Sequence, residues 1–355
     1  MGLGQTHRIP NLCELKRTDK LVNSPANAEM LLLDVYNTKM EDEMKRKYIL
    51  VLALICIIAL LAACTNGGES KAPQLDEQNT TLPTVDRAGN EISIPKEINK
   101  IISLSPSNTE ILIELGFGDK IIATDEYSKD LVGLPEGIPL FDMMAPDAEQ
   151  IVALEPDIIY TTEMSLIEGN DPYKPIKDIG ICVAFIPASE SIEGIYEDII
   201  FFAKSLSVED KGVELVNNMI TKIEEIKEIG STIENKKTVY FEIAAAPSLY
   251  SFGSGVFLNE IIEIIGAKNV LAEHDWWISV SEEVVIASDP DVIITNVDYV
   301  ENPVEEIKSR SGWENMTAVK NNDVYYVDNY ATSHSNHNII IGLEQMAKAI
   351  YPEIY

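Results

Sequence analysis

One long segment with helical periodicity, near the middle of the chain, restricts the possible folds more than any other feature. Residues 209–230, EDKGVELVNNMITKIEEIKEIG, contain no proline, and their apolar side chains recur at intervals of three and four residues. This spacing places the apolar side chains on one face of an α-helix. At 1.5 Å per residue, the helix would be roughly 30 Å long. We therefore expect the rest of the chain to be arranged on either side of it.

Strand-like and helix-like segments alternate on both sides of this helix. Before it, predicted strands begin at Lys100, Ile121, Pro156 and Ile181, with helices over 107–116, 146–155 and 191–206. After it, predicted strands begin at Lys237, Asp291 and Asp323, with helices over 255–266 and 338–351. Ser107 and Glu110 have the spacing of a capping box at the start of the first helix. The alternation predicts an α/β fold with two Rossmann-like lobes, 84–208 and 231–355, joined by a single long interdomain helix.

The N-terminal region contains a secretion signal. Lys45, Arg46 and Lys47 precede an uncharged apolar run over 48–63, which is shorter than the roughly 20 residues of a membrane-spanning helix. The run ends in Leu-Ala-Ala-Cys64, which resembles a bacterial lipobox, whose cysteine is lipidated. We expect 44–63 to be a lipoprotein signal peptide and 64–83, rich in Gly, Ser, Pro and Asn, to be a flexible tether.

Residues 1–43 fit this organisation poorly, because signal peptides stand at the N-terminus. We expect translation to begin at Met44 or Met40, so that 1–43 are not part of the working protein. Of the four cysteines, Cys13 and Cys56 then lie in the leader and the signal. Cys64 is the lipidation site, and Cys182, in an apolar run, is expected in the core.

Composition and motifs exclude several classes of function. The chain has 27 Lys and Arg against 58 Asp and Glu, a net charge of −31. Nucleic-acid binding requires clustered cations, so we expect no nucleic-acid partner. The sequence has no G-x-S-x-G elbow, no H-E-x-x-H pair and no Walker loop, and we expect neither enzyme activity nor a resident cofactor.

Four segments resemble the class III substrate-binding proteins of ABC importers, the group that binds vitamin B12 and ferric siderophores. They are SLSPSNTEILIELG over 103–116, DAEQIVALEPDIIY over 147–160, WISVSEEVVIASDPDVIITN over 277–296, and WENMTAVKNNDVYYVD over 313–328. The resemblance covers 84–355. It implies a shallow ligand cleft between two lobes, a long helix that limits their closure, and a membrane permease dimer with its ATPases as partners.

The resemblance also implies a docking surface. Family members carry one glutamate on the rim of each lobe, where it meets arginines of the permease. The matching positions are Glu149 and Glu283, with Glu282 as the alternative to Glu283. Carboxylates near helix N-termini also act as caps, so a purely structural role stays open for each of them.

The ligand-facing positions implied by the resemblance are mostly aromatic residues and methionine. They are Tyr127, Met143, Met144, Tyr250, Phe252, Trp276 and Trp277. Flat rings and pliable methionines suit a large, flat, rigid ligand such as a corrin. Ordinary packing in the core is the alternative for each residue.

The stretch YATSHSNHNI over 330–339 holds the remaining candidates. Many relatives have an arginine near the start of the last helix, where this chain has Asn338, which favours a neutral, amide-decorated ligand. Tyr330, His334 and Asn338 are expected to hydrogen-bond the ligand. Alternatively, one histidine contacts a chelated metal, His334 and His337 bind a bare metal ion with His274, or the stretch forms only a turn and a helix cap.

Taken together, these features predict a monomeric, lipid-anchored solute-binding protein on the outer face of the cell membrane. The expected cargo is a metal chelate, namely a corrinoid such as cobalamin or cobinamide. A ferric siderophore or haem is the alternative, ahead of a bare divalent metal or an extracellular enzyme.

Overall fold

The computed structural model describes residues 82–166 and 171–355, which contain two parallel sheets on either side of one long helix. The predicted leader 1–43, the signal peptide 44–63, Cys64 and nearly all of the tether lie outside the described residues. Within the described part, no helix combines the length and the apolar character that are required to cross a membrane.

The first sheet has the strand order β3-β2-β1-β4-β5, and its neighbouring strands are parallel. Its strands are β1 (Ile101–Ser103), β2 (Ile121–Asp125), β3 (Leu140–Phe141), β4 (Ile158–Thr161) and β5 (Cys182–Phe185). The helices are α1 (Pro106–Glu114), α2 (Ala148–Ala153), α3 (Lys174–Asp178) and α4 (Ile192–Ser205), and short 3-10 turns follow β2 and β4. Every residue of β1, β4 and β5 is buried, because helices cover both faces of a parallel sheet.

The long helix α5 runs over Glu209–Ser231. It packs against α4 on one side, and against two helices of the second lobe on the other. Glycines allow close contact at both ends: a Cβ on Gly212 would lie 2.4 Å from Cβ of Ala203, and one on Gly230 would lie 2.2 Å from the Ile264 carbonyl oxygen. Any side chain at these positions would push α5 away from one of the lobes.

The second sheet has the strand order β11-β10-β6-β8, again with parallel neighbours. Its strands are β6 (Thr238–Glu242), β8 (Lys268–Asn269), β10 (Val292–Thr295) and β11 (Val324–Tyr326), and β7 (Tyr250–Phe252) forms a separate antiparallel pair with β9 (Trp277–Ser279). The helices are α6 (Phe257–Ile264), α7 (Glu282–Ser288), α8 (Pro303–Ser309), α9 (Thr317–Asn321), α10 (Asn329–Ser333) and α11 (Ile339–Ile350).

One apolar core extends across both lobes. It joins side chains of β1, α1 and α4 to side chains of β6, α6 and α11, with Val216, Met219 and Ile223 of α5 between them. Two smaller cores cover the opposite faces of the two sheets. Cys182 is buried as expected, and its burial raises the pKa of the thiol to about 11, so the thiolate that would react is disfavoured.

The capping box predicted at Ser107 and Glu110 is wrong. Helix α1 begins at Pro106, and Ser105 occupies the N-cap position without a side-chain hydrogen bond. Ser107 and Glu110 therefore lie inside the helix, and both side chains form hydrogen bonds with the other lobe. The two residues have the spacing of a capping box, but their side chains bond the other lobe and not the helix N-terminus.

Candidate functional site

The strand order of each sheet indicates where a ligand would bind. In the first sheet β1 lies between β2 and β4, and in the second β6 lies between β8 and β10. Successive connections leave these central strands in opposite directions, which opens a crevice at their carboxyl ends. The crevice of the first lobe lies next to Ser105, and that of the second lies next to Asn296.

The carboxyl edges of the two sheets face each other. The hydroxyl of Ser107, just after β1, donates to the carbonyl oxygen of Ser335 at 2.8 Å. Ser335 belongs to the segment 334–338, which follows β11 and precedes α11. Because both residues lie beyond the carboxyl ends of strands, this contact brings the two crevices together in one cleft.

Glu110 of α1 is the most connected residue at the junction. One carboxylate oxygen accepts a hydrogen bond from the amide of Asn336 at 2.6 Å and lies 2.6 Å from Nδ1 of His334. The other oxygen accepts from the amide of Asn338 at 3.0 Å. All three partners come from the second lobe, so a single, nearly buried carboxylate connects the lobes.

A cavity of about 490 Å³ lies beside Glu110 and is lined by both lobes. Its lining residues are Glu110, Ile113, Glu114, Asp130, Leu131, Val132, Tyr330, His337 and Asn338. Three of them are carboxylates, and among these described residues there is neither lysine nor arginine. The cavity therefore favours cationic or hydrogen-donating groups over anions.

His337 faces this cavity in a neutral state. Burial lowers the pKa of its imidazole, while the charges of Glu114 and Glu110 act in the opposite direction. Its Nε2 lies 3.8 Å from a carboxylate oxygen of Glu114, and its buried Nδ1 has no hydrogen-bond partner among the described residues. His334 is also largely buried, with a side chain that is 15% exposed. Its ring stands edge-on to Tyr330, with 5.1 Å between the ring centroids.

Exposed aromatic side chains lie in and next to the short strands of the second lobe. Trp276 is 50% exposed, and its backbone has a positive φ of 64°. Reciprocal backbone hydrogen bonds hold it: the N–H of Trp276 donates to Ser254, and the N–H of Gly253 donates to Trp276, each at 2.8 Å. A strained backbone conformation that neighbouring bonds maintain is typical of residues positioned for binding.

Trp277 is 37% exposed, and the inner side of its ring packs against two buried aromatic rings. Its ring packs edge-on against Phe252 and Phe257, with centroid separations of 5.9 and 6.5 Å. Phe252 is completely buried, so the expectation that it faces a ligand is wrong. Its position in register opposite Trp277 makes it the support for that ring instead.

Three tyrosines continue this aromatic surface. Tyr250 starts β7, where its carbonyl oxygen accepts from Ile243 just after β6. Tyr299 follows β10, and its hydroxyl accepts from the backbone N–H of Ala245 at 2.9 Å. Tyr330 lies in α10, and all three rings are exposed to solvent. Tyr250, Tyr299 and Tyr330 thus surround the carboxyl ends of β6, β10 and β11.

The first lobe contributes fewer exposed side chains to the same edge. Tyr127, in the turn after β2, is 68% exposed, and Asp125 caps this turn by accepting from the N–H of Tyr127. Met144, after β3, is 40% exposed. Met143 is only 7% exposed, so its expected contact with a ligand does not fit its burial. Both methionines lie in a turn, and of the two only Met144 is exposed.

The histidines do not form a metal centre in the described part of the chain. In residues 82–166 and 171–355, no group of three or more His, Cys, Asp and Glu side chains is arranged to hold a metal ion. His334 uses Nδ1 for Glu110, and His274 is exposed in the loop before β9, where its carbonyl oxygen accepts from Ser254.

The two glutamates expected to dock a permease occupy equivalent places. Glu149 is the second residue of α2 and Glu283 the second residue of α7, and both are exposed. Each helix starts at the carboxyl edge of its sheet, because its far end leads back to the start of the next strand. The hydroxyl of Ser281 lowers the pKa of Glu283, which keeps this carboxylate charged.

Sequence reasoning missed the roles of Glu110 and Tyr299. Glu110 matched a capping pattern, which concealed its tertiary contacts. Tyr299 follows a strand that was predicted, and an aromatic residue after a parallel strand was a usable signal.

Comparison with known proteins identifies the fold. Residues 101–331 match the Peripla_BP_2 family, described as periplasmic binding protein. An uncharacterized ABC transporter substrate-binding lipoprotein of Bacillus subtilis (strain 168), YvrC, is 32% identical over 88% of this chain and 99% of its own length. A cobalamin-binding protein of Halobacterium salinarum is 22% identical over 84% of each chain.

A solved structure has the same architecture. It is a possible iron-binding (periplasmic solute-binding) protein of Staphylococcus epidermidis, with 30% identity and a TM-score of 0.64, which covers 72% of this chain and 100% of its own. The family match, the lipoprotein relative and this structure agree with the two-lobed α/β fold. The chain belongs to the periplasmic binding protein family and is a solute-binding protein of the kind that serves ABC importers.

Proposed function

We propose that this protein is a lipid-anchored receptor on the outer face of the cell membrane that delivers a corrinoid, cobalamin or cobinamide, to an ABC importer. One observation carries the choice of cargo: the second lobe exposes five aromatic rings, in β7, at the start of β9, and after β10 and β11, namely Tyr250, Trp276, Trp277, Tyr299 and Tyr330. A flat, rigid macrocycle offers a large area for contact with such rings.

The charge of the cavity supports a neutral or cationic cargo. Glu110, Glu114 and Asp130 line it. The family resemblance also places Asn338 where many members of this class have an arginine. An anionic chelate would have to approach three carboxylates without a compensating cation from the cavity wall. Amide groups at the edge of a corrin are hydrogen-bond donors and would be matched by the carboxylates of Glu114 and Asp130.

The similarity to the cobalamin-binding protein of Halobacterium supports the same choice of cargo. At 22% identity it does so through overall similarity, and not through individual contacts. The cargo assignment therefore depends on the aromatic residues and the charge of this chain.

Delivery requires anchoring and docking. Cys64, at the end of the Leu-Ala-Ala-Cys motif, is the proposed lipidation site, and the lipoprotein relative from Bacillus supports this assignment. Glu149 and Glu283 are the proposed contacts with arginines of a permease dimer. Such exposed charges guide the encounter and set its orientation more than they add affinity. We expect the protein to act as a monomer.

Haem or a ferric siderophore is the second candidate, and one observation favours it. The exposed phenol of Tyr330 lies against His334 at the edge of the cleft. Both side chain types are axial ligands of haem iron in proteins. The three carboxylates in the cavity oppose this candidate, because haem carries anionic propionates.

A titration of the protein from residue 65 onward separates these candidates. Tryptophan fluorescence is followed, with correction for inner-filter absorption, as dicyanocobinamide, cyanocobalamin, haem and small ferric siderophores are added. We expect saturable quenching at sub-micromolar concentration for a corrinoid only. Binding of iron chelates alone would exclude the corrinoid and leave the importer function, and the absence of all binding would direct the search to divalent metals.

A further inference from the structure

We propose that Glu110 is a positioning residue that holds the two lobes at a set angle before cargo arrives, so that the cleft is preformed. This inference rests on the proposed cargo-binding function of the cleft, but its structural part is independent of which cargo binds. The supporting observations are the hydrogen bonds of Glu110, their burial, and the way in which α5 connects the lobes.

The carboxylate of Glu110 is surrounded by groups that belong to the other lobe. His334, Asn336 and Asn338 all approach it, and its side chain is only 11% exposed. A nearly buried carboxylate is tolerated only when hydrogen bonds satisfy it. Movement of one lobe away from the other would break three such bonds together, and each is stronger than a neutral hydrogen bond.

The partner segment is itself ordered by a second hydrogen bond. Asn336 donates through its amide nitrogen to Glu110, while its amide oxygen accepts from the backbone N–H of Asn338 at 2.8 Å. The orientation of the Asn336 amide is therefore determined on both sides. Ser107 adds a further bond to the carbonyl oxygen of Ser335. The hydrogen-bonding groups of the two lobes therefore match each other in one relative orientation of the lobes.

Glu110 complements the long helix. Helix α5 joins the lobes through a shared apolar core, with Gly212 and Gly230 in close contact at its two ends. With a single connecting helix, the two lobes can still rotate relative to each other about their contacts with that helix. The Glu110 contact lies on α1, apart from α5, and a second point of attachment removes that rotation. A cleft held in this way loses less freedom when cargo binds.

An exchange of charge between the two sides tests the proposal. Asn338→Asp replaces a donor by a carboxylate oxygen about 3 Å from Glu110, and the like charges repel. The double variant Glu110→Gln with Asn338→Asp reverses the pair: the Gln amide nitrogen donates to Asp, while its oxygen still accepts from His334 and Asn336. Asn218→Asp, at an exposed position of α5, makes the same chemical change elsewhere.

Interlobe distances are measured in the cargo-free protein with spin labels on cysteines at Glu193 of α4 and Lys320 of α9, both exposed positions. The native Cys182 is buried, which keeps it from competing for the label. We expect Asn338→Asp to broaden the distance distribution and to weaken dicyanocobinamide binding about tenfold or more. The double variant is expected to restore the narrow distribution, and Asn218→Asp to change neither the distribution nor the affinity.

Two results would overturn the proposal: an unchanged distance distribution in Asn338→Asp, or a double variant whose distribution stays broad. Weaker binding of Asn338→Asp at unchanged distances would mean that Asn338 contacts cargo directly. If the unaltered protein does not bind dicyanocobinamide, the corrinoid assignment fails, whereas the distance measurement still decides the role of Glu110. If Asn338→Asp unfolds, the double variant, which carries the same substitution, still tests the proposal through its distance distribution.

Discussion

The buried indole of Trp313 donates its N–H to a carboxylate oxygen of Glu282 at 2.9 Å. This bond engages Glu282 within the second lobe, while the neighbouring Glu283 is exposed at the first turn of α7. Of the two adjacent glutamates that the sequence offered for docking, the structure thus leaves Glu283 with the accessible carboxylate.

The first prediction concerns docking. Charge reversal at Glu149 and Glu283 together is expected to reduce cargo uptake by cells about tenfold or more, because attraction to permease arginines becomes repulsion. Cargo affinity of the isolated protein should not change, since neither residue lines the cavity. Glu228→Arg, an exposed reversal on α5, is the control. Equal uptake in the double variant and the control would argue against docking through these residues.

The second prediction assigns the fluorescence signal. The chain has three tryptophans, of which Trp313 is buried and Trp276 and Trp277 are exposed. Cargo should quench the exposed pair and leave Trp313 emission in place. Trp276→Phe is expected to remove a large part of the quenching and to weaken binding by about 1–3 kcal/mol, as lost stacking area implies. Full quenching in this variant would place the cargo elsewhere.

The third prediction concerns a buried ion pair. Arg310 donates to both carboxylate oxygens of Glu242, at 2.6 and 2.8 Å, and its guanidinium lies over the Trp313 ring. Burial raises the pKa of Glu242, whereas Arg310 opposes that rise. Arg310→Ala is expected to lower the unfolding free energy by about 3–5 kcal/mol, because an unpaired charge stays buried.

Urea denaturation measures this loss. Lys308→Ala, which removes an exposed pair with Glu305 on the same helix, should cost no more than about 1 kcal/mol. A second variant that also replaces Glu242 by Gln should recover part of the stability, because the buried charge is then absent. A loss of equal size in the Arg310 and Lys308 variants would contradict the assignment.

The fourth prediction concerns pH. Burial lowers the pKa of His337 below its ordinary value of 6.5, although Glu114 and Glu110 act in the opposite direction. As pH falls below about 6.5, the unfolded chain takes up a proton that the folded protein still excludes. The stabilising effect of neutral His337 is therefore complete above pH 6.5 and decreases on acidification.

His337→Gln should accordingly flatten the dependence of unfolding free energy on pH between 7.5 and 5. The comparison with the unaltered protein cancels the contributions of carboxylates such as Asp198 and Glu242, whose pKa values are raised by burial. The difference amounts to about 1.4 kcal/mol for each unit by which the pKa of His337 is depressed. Parallel pH profiles for the two proteins would show that His337 does not titrate in this range.

The main elements of the fold could be predicted because their signals are local. The helix predicted over 209–230 is observed over Glu209–Ser231, and the strands β1, β2, β4 and β5 were recognisable as apolar runs. The short strands β7 and β9 were not predicted. Three residues carry too little periodicity, and the two strands are separated along the chain by α6 and β8.

The candidate site could be predicted only in part. The family resemblance and the residue types suggested Tyr250, Trp277 and Tyr330; all three side chains are exposed, and their contact with a ligand stays a prediction. These signals could not separate Trp276, which is exposed, from Phe252, which is buried beneath Trp277. That distinction depends on the direction of each side chain in a strand pair, and hence on tertiary packing.

The sequence by itself determined the class of fold and the long helix, because periodicity follows from neighbouring residues. The signal peptide and the lipidation site stay predictions, since they lie outside the described residues. Only the tertiary structure decided that Glu110 faces His334, Asn336 and Asn338 rather than its own helix end. These partners are more than 220 residues away along the chain. Packing of two lobes about α5 brings them together, and no local pattern encodes a contact of that range.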